Sequence, residues 1–277
     1  MTDPFRDRVA VVTGGASGIG AAMARAFAAR GARLALADVD AAALEATAKE
    51  LRETGAEVLP IETDVSKRDS VLRAADAVFD HFGAAHIVCN NAGVFTAGDL
   101  AKSPHSDWEY TMGVNFWGVV HGVEAFVPRL IEQGQGGHVV NTASMAGLVG
   151  MQWLGIYCAS KFAVVGLSES LRRELAGHGV GVSVLCPMIV ATNISANSER
   201  LRPGAVARQE AAPPQPPAEA MQGGIKSAAE VARRVVRAIE RDDPYVLTHD
   251  EQRPILQRRA ARLEASFDPE RWELGDN

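Results

Sequence analysis

The chain is short of cysteine, carries no excess of basic charge and has no long apolar run. Its three cysteines, Cys89, Cys158 and Cys186, lie far apart, and Cys89 and Cys186 sit in apolar, strand-like stretches. That pattern rules against a disulfide framework and fits reduced, mostly buried thiols in a cytoplasmic protein. No C-x-x-C or H-x-x-x-H spacing occurs, so no metal site is expected. A net charge of -6 and a pI of about 5.7 argue against nucleic acid or an anionic membrane as partner. The opening residues MTDPFRDR lack the apolar core of a secretory signal. The most apolar helix-like stretch, 113–130, is broken by Asn115, His121, Glu124 and Arg129, so no membrane span is expected. No internal repeat is present.

With 277 residues, 47% hydrophobic and 22% charged, the chain can bury a sizeable core as a soluble globular protein. Its first two thirds alternate strand and helix. Strand-like runs lie at 8–13 (RVAVVT), 33–38, 57–62, 87–90, 137–142 and 180–186, and helix-like runs at 21–29, 41–53, 66–82, 107–132 and 156–177. Continuously apolar strands separated by helices indicate a parallel sheet buried on both faces. With right-handed crossovers this predicts a doubly wound α/β fold of the Rossmann type, as one domain over 1–277. Beyond Thr192 the pattern lapses: 193–224 contains AAPPQPPAEA and is expected to be a mobile lid over the substrate. Helix, strand and an arginine-rich helix then follow at 228–240, 245–248 and 254–265, with 250–277 read as a helical extension.

Residues 13–20 read TGGASGIG, between the first strand and the first helix. Glycines there permit a tight turn and close approach to a pyrophosphate, and the helix start supplies N–H donors and a positive dipole end. Eighteen residues after Gly20, Asp38 ends the second strand. A carboxylate at that place accepts hydrogen bonds from a ribose diol and repels a 2′-phosphate. Ser17 and Val39, where a phosphate-pairing arginine would stand, are uncharged. NAD is therefore expected over NADP.

Tyr157 and Lys161 are four residues apart on a helix-like run, so phenol and ammonium share a face, with Ser144 thirteen residues upstream. A neighbouring cation is expected to lower the phenol's pKa and fit it for proton exchange with an alcohol or carbonyl.

Taken in order, these residues resemble the short-chain dehydrogenase/reductase superfamily over about 6–250. Asp64 and Val65 match its adenine-contacting dipeptide, and NNAG at 90–93 matches the motif beside the cofactor. Asn115 matches the asparagine of its long central helix, and PMIVAT at 187–192 matches the segment that holds the nicotinamide carboxamide. The resemblance implies a cofactor site of Gly14, Ser17, Gly18, Ile19, Gly20, Asp38, Asp64, Val65, Asn91, Ala92, Gly93, Tyr157, Lys161, Pro187, Ile189, Val190 and Thr192. It also implies roles. Tyr157 is the general acid/base, and Lys161 lowers its pKa and bonds the nicotinamide ribose. Ser144 orients the substrate oxygen, and Asn115 interrupts its helix and holds a relay water. Met188 stands where the family usually has glycine, which brings a side chain to the nicotinamide end.

The loops next to this set, with Val94, Phe95, Met145, Trp153 and Met188, are expected to meet the substrate, a small-molecule secondary alcohol or ketone. A further likeness, to bacterial enzymes that oxidise benzylic alcohols of lignin-derived aryl ethers, suggests an aromatic or otherwise hydrophobic one. It rests on GGHVVNTASMAGL, YVLTH and the arginine-rich helix. Two alternatives stand beside this reading, a 3-oxoacyl thioester reductase and a dinucleotide-binding protein without turnover. Arg200, Arg202 and Arg208 read as solvated charges, and His86, His121, His138, His178 and His249 as structural or surface residues. Trp108, Phe116 and Trp117 read as packing residues. By resemblance the chain forms a homotetramer or homodimer.

Overall fold

The protein is described by a computed structural model over residues 3–202 and 223–267. Its main sheet has seven parallel strands: β1 (Val9–Thr13), β2 (Arg33–Asp38), β3 (Val58–Glu62), β4 (Ile87–Asn90), β5 (Gly137–Thr142), β6 (Val180–Cys186) and β9 (Tyr245–Leu247). They lie in the order β3-β2-β1-β4-β5-β6-β9. Two-residue strands β7 (Val190–Ala191) and β8 (Lys226–Ser227) pair separately. The helices are α1 (Gly18–Ala28), α2 (Ala41–Glu53), α3 (Arg68–Phe82), α4 (His105–Met112), α5 (Gly118–Gln133), α6 (Gly155–Leu175), α7 (Ile194–Leu201), α8 (Ala228–Arg241) and α9 (Arg253–Glu264). This is the doubly wound α/β fold that the alternation of elements predicts.

Every residue of β1 is buried because each side of the strand meets its own layer of helices. Ala10 and Val12 join Phe27 of α1, Leu51 of α2 and Val235 of α8 on one face. Val9 and Val11 join Val78 of α3, Phe126 of α5 and Leu171 of α6 on the other. Burying each large side chain stabilises the fold by roughly 1.5–3 kcal/mol. Helices of this length gain most of their stability from such faces rather than from propensity.

Three differences from the sequence expectation bear on the site. The helix expected over 107–132 is two helices joined by a π-turn at Gly113–Trp117. The segment expected to lack structure from 193 begins with α7, and its far end leads into β8. The rest of that expected lid, 203–222, lies outside the described residues, as does 268–277 of the expected extension. Among the described residues no helix is long and apolar enough to cross a membrane.

At the opposite edge of the sheet from the strands' carboxyl ends, a polar pin joins β5, β6 and the turn before β9. His138 Nε2 lies 2.8 Å from Ser183 Oγ, and that hydroxyl donates to the Asp243 carbonyl. Arg172 binds the Asp242 carboxylate through two 2.8 Å contacts, and His138 Nδ1 is 3.8 Å from Asp242. Burial pushes the His138 imidazole down to about 4, against the pull of Asp242 and with a further push from Arg172. The folded protein therefore resists protonation that the unfolded chain accepts near pH 6.5. Stability contributed by neutral His138 is present above that value and is lost as pH falls from about 6.5 to about 4. In His138→Gln, the difference in unfolding free energy between pH 7.5 and 4.5 should shrink by about 2 kcal/mol. Urea denaturation at the two pH values measures this, and an unchanged difference would exclude the assignment.

Candidate active site

The carboxyl ends of β1 to β6 open onto one cleft of about 1240 Å³. In a doubly wound sheet this edge, where strand order reverses between β1 and β4, is where crevices form. The turn after β1 is built on close backbone approach. Gly14 has φ +66°, and a Cβ on Gly20 would stand 2.0 Å from the Gly14 carbonyl oxygen. The turn leads into α1, whose N-cap, Ser17, makes no side-chain capping bond. Its first N–H groups thus face the cleft free of an internal cap, which is the arrangement that binds anions. The neighbouring α2, in contrast, is capped by Asp40, whose carboxylate accepts from Ala43 N at 3.1 Å.

Asp38 is held by two backbone donors, Ala16 N at 3.0 Å and Asp40 N at 3.1 Å, one to each oxygen. The β1 and β4 loops are stitched together by Thr13 Oγ1, which accepts from Asn91 N at 2.9 Å and Ala92 N at 3.1 Å. Asp64 accepts from both Ser66 N and Ser66 Oγ, and the Val65 carbonyl lies 2.9 Å from His121 Nδ1. Of the seventeen residues that the sequence assigns to a cofactor, sixteen line the cleft, and Gly20 stands just behind Gly14.

Ser144, Tyr157 and Lys161 line the same cleft. Ser144 follows β5, donates to the Pro187 carbonyl at 3.3 Å and accepts from Ala146 N at 3.1 Å. The Tyr157 ring is buried and meets Phe95 edge-on, with centroids 5.2 Å apart. Lys161 Nζ lies 5.8 Å from the Tyr157 ring centroid and donates to the Thr142 carbonyl at 2.9 Å. The electrostatics here differ from the expectation. Burial pushes the Tyr157 phenol up to about 12, although a hydrogen bond with Ser144 pulls the other way. Burial pushes Lys161 down to about 8. Helical spacing does bring the two side chains together, yet the ammonium points to Thr142 and lies beside the ring, and desolvation dominates.

Asn115 is fully buried within the π-turn and does not line the cleft. Its Oδ1 accepts from Val94 N at 2.8 Å, and its Nδ2 donates to the Val94 carbonyl at 2.9 Å and to Ser160 Oγ at 3.2 Å. The amide thereby fixes the backbone between Gly93 and Phe95. A Cβ on Gly93 would fall 3.3 Å from Asn115 Oδ1 and 3.5 Å from Lys161 Nζ, so glycine keeps that corner open.

Of the five residues named for the substrate, Val94, Phe95 and Met188 line the cleft. Met145 and Trp153 do not. Met145 is 1% exposed, its backbone turned in by a bond from its N–H to the Pro187 carbonyl. Trp153 takes a left-handed φ of 67° and lines a separate small depression with Thr96 and Asp107.

No pattern in the sequence announces α7, which lies along the cleft. Its Ser198 is buried, accepts from Phe95 N at 2.8 Å, and through its carbonyl accepts from Tyr110 Oη at 3.0 Å. Arg200 binds Asp40 at 2.8 Å, and Arg202 binds Asp107 at 3.0 Å. Both arginines are in ion pairs; Arg200 is nonetheless exposed, as expected, whereas Arg202 is partly buried, and Arg208 lies outside the described residues. No periodic pattern announces these contacts, because they depend on which residues the fold brings opposite. Among the described residues no group of three or more His, Cys, Asp or Glu side chains is placed to hold a metal ion.

Known proteins share the sequence pattern and the fold. A family model described as short chain dehydrogenase matches residues 8–202. A short chain dehydrogenase/reductase from Burkholderia phymatum, crystallised in complex with NAD, superposes with a TM-score of 0.88 at 42% identity, covering 97% of this chain and 98% of that one. The C alpha-dehydrogenase of Sphingobium sp. is 41% identical over 200 residues, 72% of this chain and 65% of its own length. The 1-deoxy-11-beta-hydroxypentalenate dehydrogenase of Streptomyces exfoliatus is 44% identical over 190 residues, 68% of this chain and 69% of its own length.

Proposed function

The chain belongs to the short-chain dehydrogenase/reductase family of oxidoreductases, and from that premise we propose that it interconverts a secondary alcohol and a ketone with NAD. The observation that carries the reading is the meeting of Ser144, Tyr157 and Lys161 in the cleft that also holds the open α1 N-terminus and Asp38. The residues suit a dinucleotide. Uncapped N–H groups at α1 would take the pyrophosphate, the Gly14 and Gly93 corners leave space for it, and Asp38 would take the adenosine ribose. Bound there, the nicotinamide supplies the hydride acceptor for oxidation or the donor for reduction.

The chain's own residues then handle the proton. The substrate hydroxyl lies between Ser144 Oγ and Tyr157 Oη; with the phenol's own proton first lost to solvent, the substrate proton passes to the Tyr157 phenolate as the carbonyl forms. In reduction Tyr157 Oη returns it. Ser144 holds the oxygen on which charge develops. Pushed up to about 12 by burial, the phenol is protonated at neutral pH and so has a proton to give in reduction, though burial makes it a weaker acid. In oxidation it needs a compensating positive charge, which Lys161 supplies when protonated. Asn115 keeps the 93–95 backbone in place beside the reacting atoms and, on the family pattern, holds the water that relays protons to Lys161.

The fixed Asp38 carboxylate supports NAD over NADP, since a 2′-phosphate would meet its charge. The relative solved with NAD points the same way. Steady-state kinetics should give a kcat/KM for NAD at least about tenfold above that for NADP, and Asp38→Ser should narrow the gap. A wild type that uses NADP equally well or better would overturn the cofactor assignment. Val94, Phe95, Met151, Leu154 and Met188 give the substrate end an apolar wall, which supports an aromatic or otherwise hydrophobic alcohol. The name of the Sphingobium relative, C alpha-dehydrogenase, is compatible with that choice.

A further inference from the structure

The segment 187–192 forms one wall of the cleft, and its conformation is set from two sides. At its start, the Pro187 carbonyl accepts from Ser144 Oγ and Met145 N. In its middle stands a residue that the proposed chemistry leaves unused. His249 follows β9 and is 3% exposed. Its Nε2 lies 3.2 Å from the Ile189 carbonyl and 3.0 Å from the Gly224 carbonyl, and its Nδ1 lies 2.7 Å from Thr248 Oγ1. Carbonyl oxygens only accept, so Nε2 carries the hydrogen and donates to both. With the hydrogen on Nε2, Nδ1 can accept from the Thr248 hydroxyl.

The two carbonyls belong to chain running in opposite phases of one excursion. Ile189 lies just after β6, where the chain leaves the sheet, and Gly224 lies just before β8, where it returns. What ties these runs together otherwise is slight. Val190 pairs with Lys226 and Ala191 with Ser227, and Lys226 N donates to the Ile189 carbonyl at 3.0 Å. A two-residue ladder is too short to hold its own position. Besides the packing of Val190 and Ala228 against the core, His249 is a polar link from that ladder to the end of β9, and it is closely packed. A Cβ on Gly223 would stand 3.2 Å from His249 Cδ2.

We infer that His249 is a positioning residue for the nicotinamide half of the cleft, acting through the Ile189 carbonyl on the wall formed by 187–192. The inference rests on the cofactor reading given above. It requires that loss of the Nε2 donor disturb ligands reaching that wall while sparing ligands that occupy only the adenosine half, between Asp38 and the α1 N-terminus.

The test uses calorimetric titration of the full chain with NADH and with ADP-ribose, which lacks the nicotinamide. His249→Phe keeps the buried bulk and removes the donor. It should weaken NADH binding by about tenfold, the effect of about 1.4 kcal/mol from one lost buried hydrogen bond. ADP-ribose binding should stay within about twofold of wild type. His249→Gln restores an N–H at the end of the side chain and should recover most of the loss. Thr248→Val leaves the ring in place without its Nδ1 partner. It should reproduce the same split at a few-fold, which keeps the inference testable if His249→Phe does not fold. Equal weakening of both ligands, NADH binding unchanged in His249→Phe, or a His249→Gln as impaired as His249→Phe would each overturn the inference. If the wild type binds neither ligand, the cofactor reading falls and takes this inference with it. If the wild type binds both and the variants do not separate them, the inference falls alone.

Discussion

Tyr157→Phe is expected to lower turnover of a secondary alcohol by about 10³-fold or more while leaving NADH affinity within about twofold. Proton transfer by a positioned side chain is worth roughly 10²–10⁴ in rate, and in this cleft the phenol is the group beside Ser144 that can both give and take a proton. The substitution removes one oxygen and little else. The ring keeps its edge contact with Phe95, and Lys161 keeps its bond to the Thr142 carbonyl, so the cofactor wall should not move. Steady-state rates together with NADH titration test both halves of the statement. Unchanged turnover would remove Tyr157 as the proton carrier, and a parallel loss of NADH binding would show that its role is structural.

The second large effect concerns the turn after β1. Gly20→Ala should weaken NADH binding by about 100-fold or more, because its Cβ would lie 2.0 Å from the Gly14 carbonyl oxygen and 2.7 Å from Asn91 Nδ2. The first of these is backbone, which cannot rotate aside, so the turn must open and carry the helix start away from any phosphate it would hold. Gly166→Ala is the matching control. It makes the same chemical change in α6, where a Cβ meets nothing within 4 Å. Replacing helical glycine with alanine there should stabilise the protein by up to about 1 kcal/mol. Calorimetry and thermal melts on the two variants measure the contrast. NADH binding by Gly20→Ala at wild-type strength would overturn the account of the turn.

The parts of the fold that could be read in the sequence are those in which burial is symmetrical. β1, β2, β4, β5 and β6 are largely buried because both of their faces are covered, and their apolar runs make their limits legible to within a residue. The convergence of Gly14, Asp38, Ser144 and Tyr157 was also legible, because in a parallel doubly wound sheet whatever follows each strand faces one edge. What escaped is what depends on partners distant in sequence. The run ISANSERL of α7 has weak helix propensity and no apolar stripe of useful length. It is held by the bonds of Ser198 and the ion pairs of Arg200 and Arg202, none of which a local pattern encodes. Met145 follows Ser144 immediately, yet the 3-10 turn at Met145–Gly147 folds it inward. The direction of the Tyr157 shift is not legible in the sequence for a related reason. Spacing shows that a cation is near, while the cost of desolvating a phenol depends on a burial that only the assembled core sets.

The π-turn at Gly113–Trp117 fixes a length as well as a bond pattern. Each residue advances an α-helix by about 100°, so the extra residue in the wide turn offsets the phase of α5 from that of α4. Asp107 must face Arg202, while Gly122 must press against Asn90, whose Oδ1 would lie 2.0 Å from any Cβ there. Both demands are met at once by the number of residues between them. Shortening this stretch by one would straighten the helix and rotate one contact out of alignment, whichever end stayed in place. Many surface loops away from the cleft can change in length at little cost, but between Asp107 and Gly122 the chain is a ruler whose graduations are set at both ends.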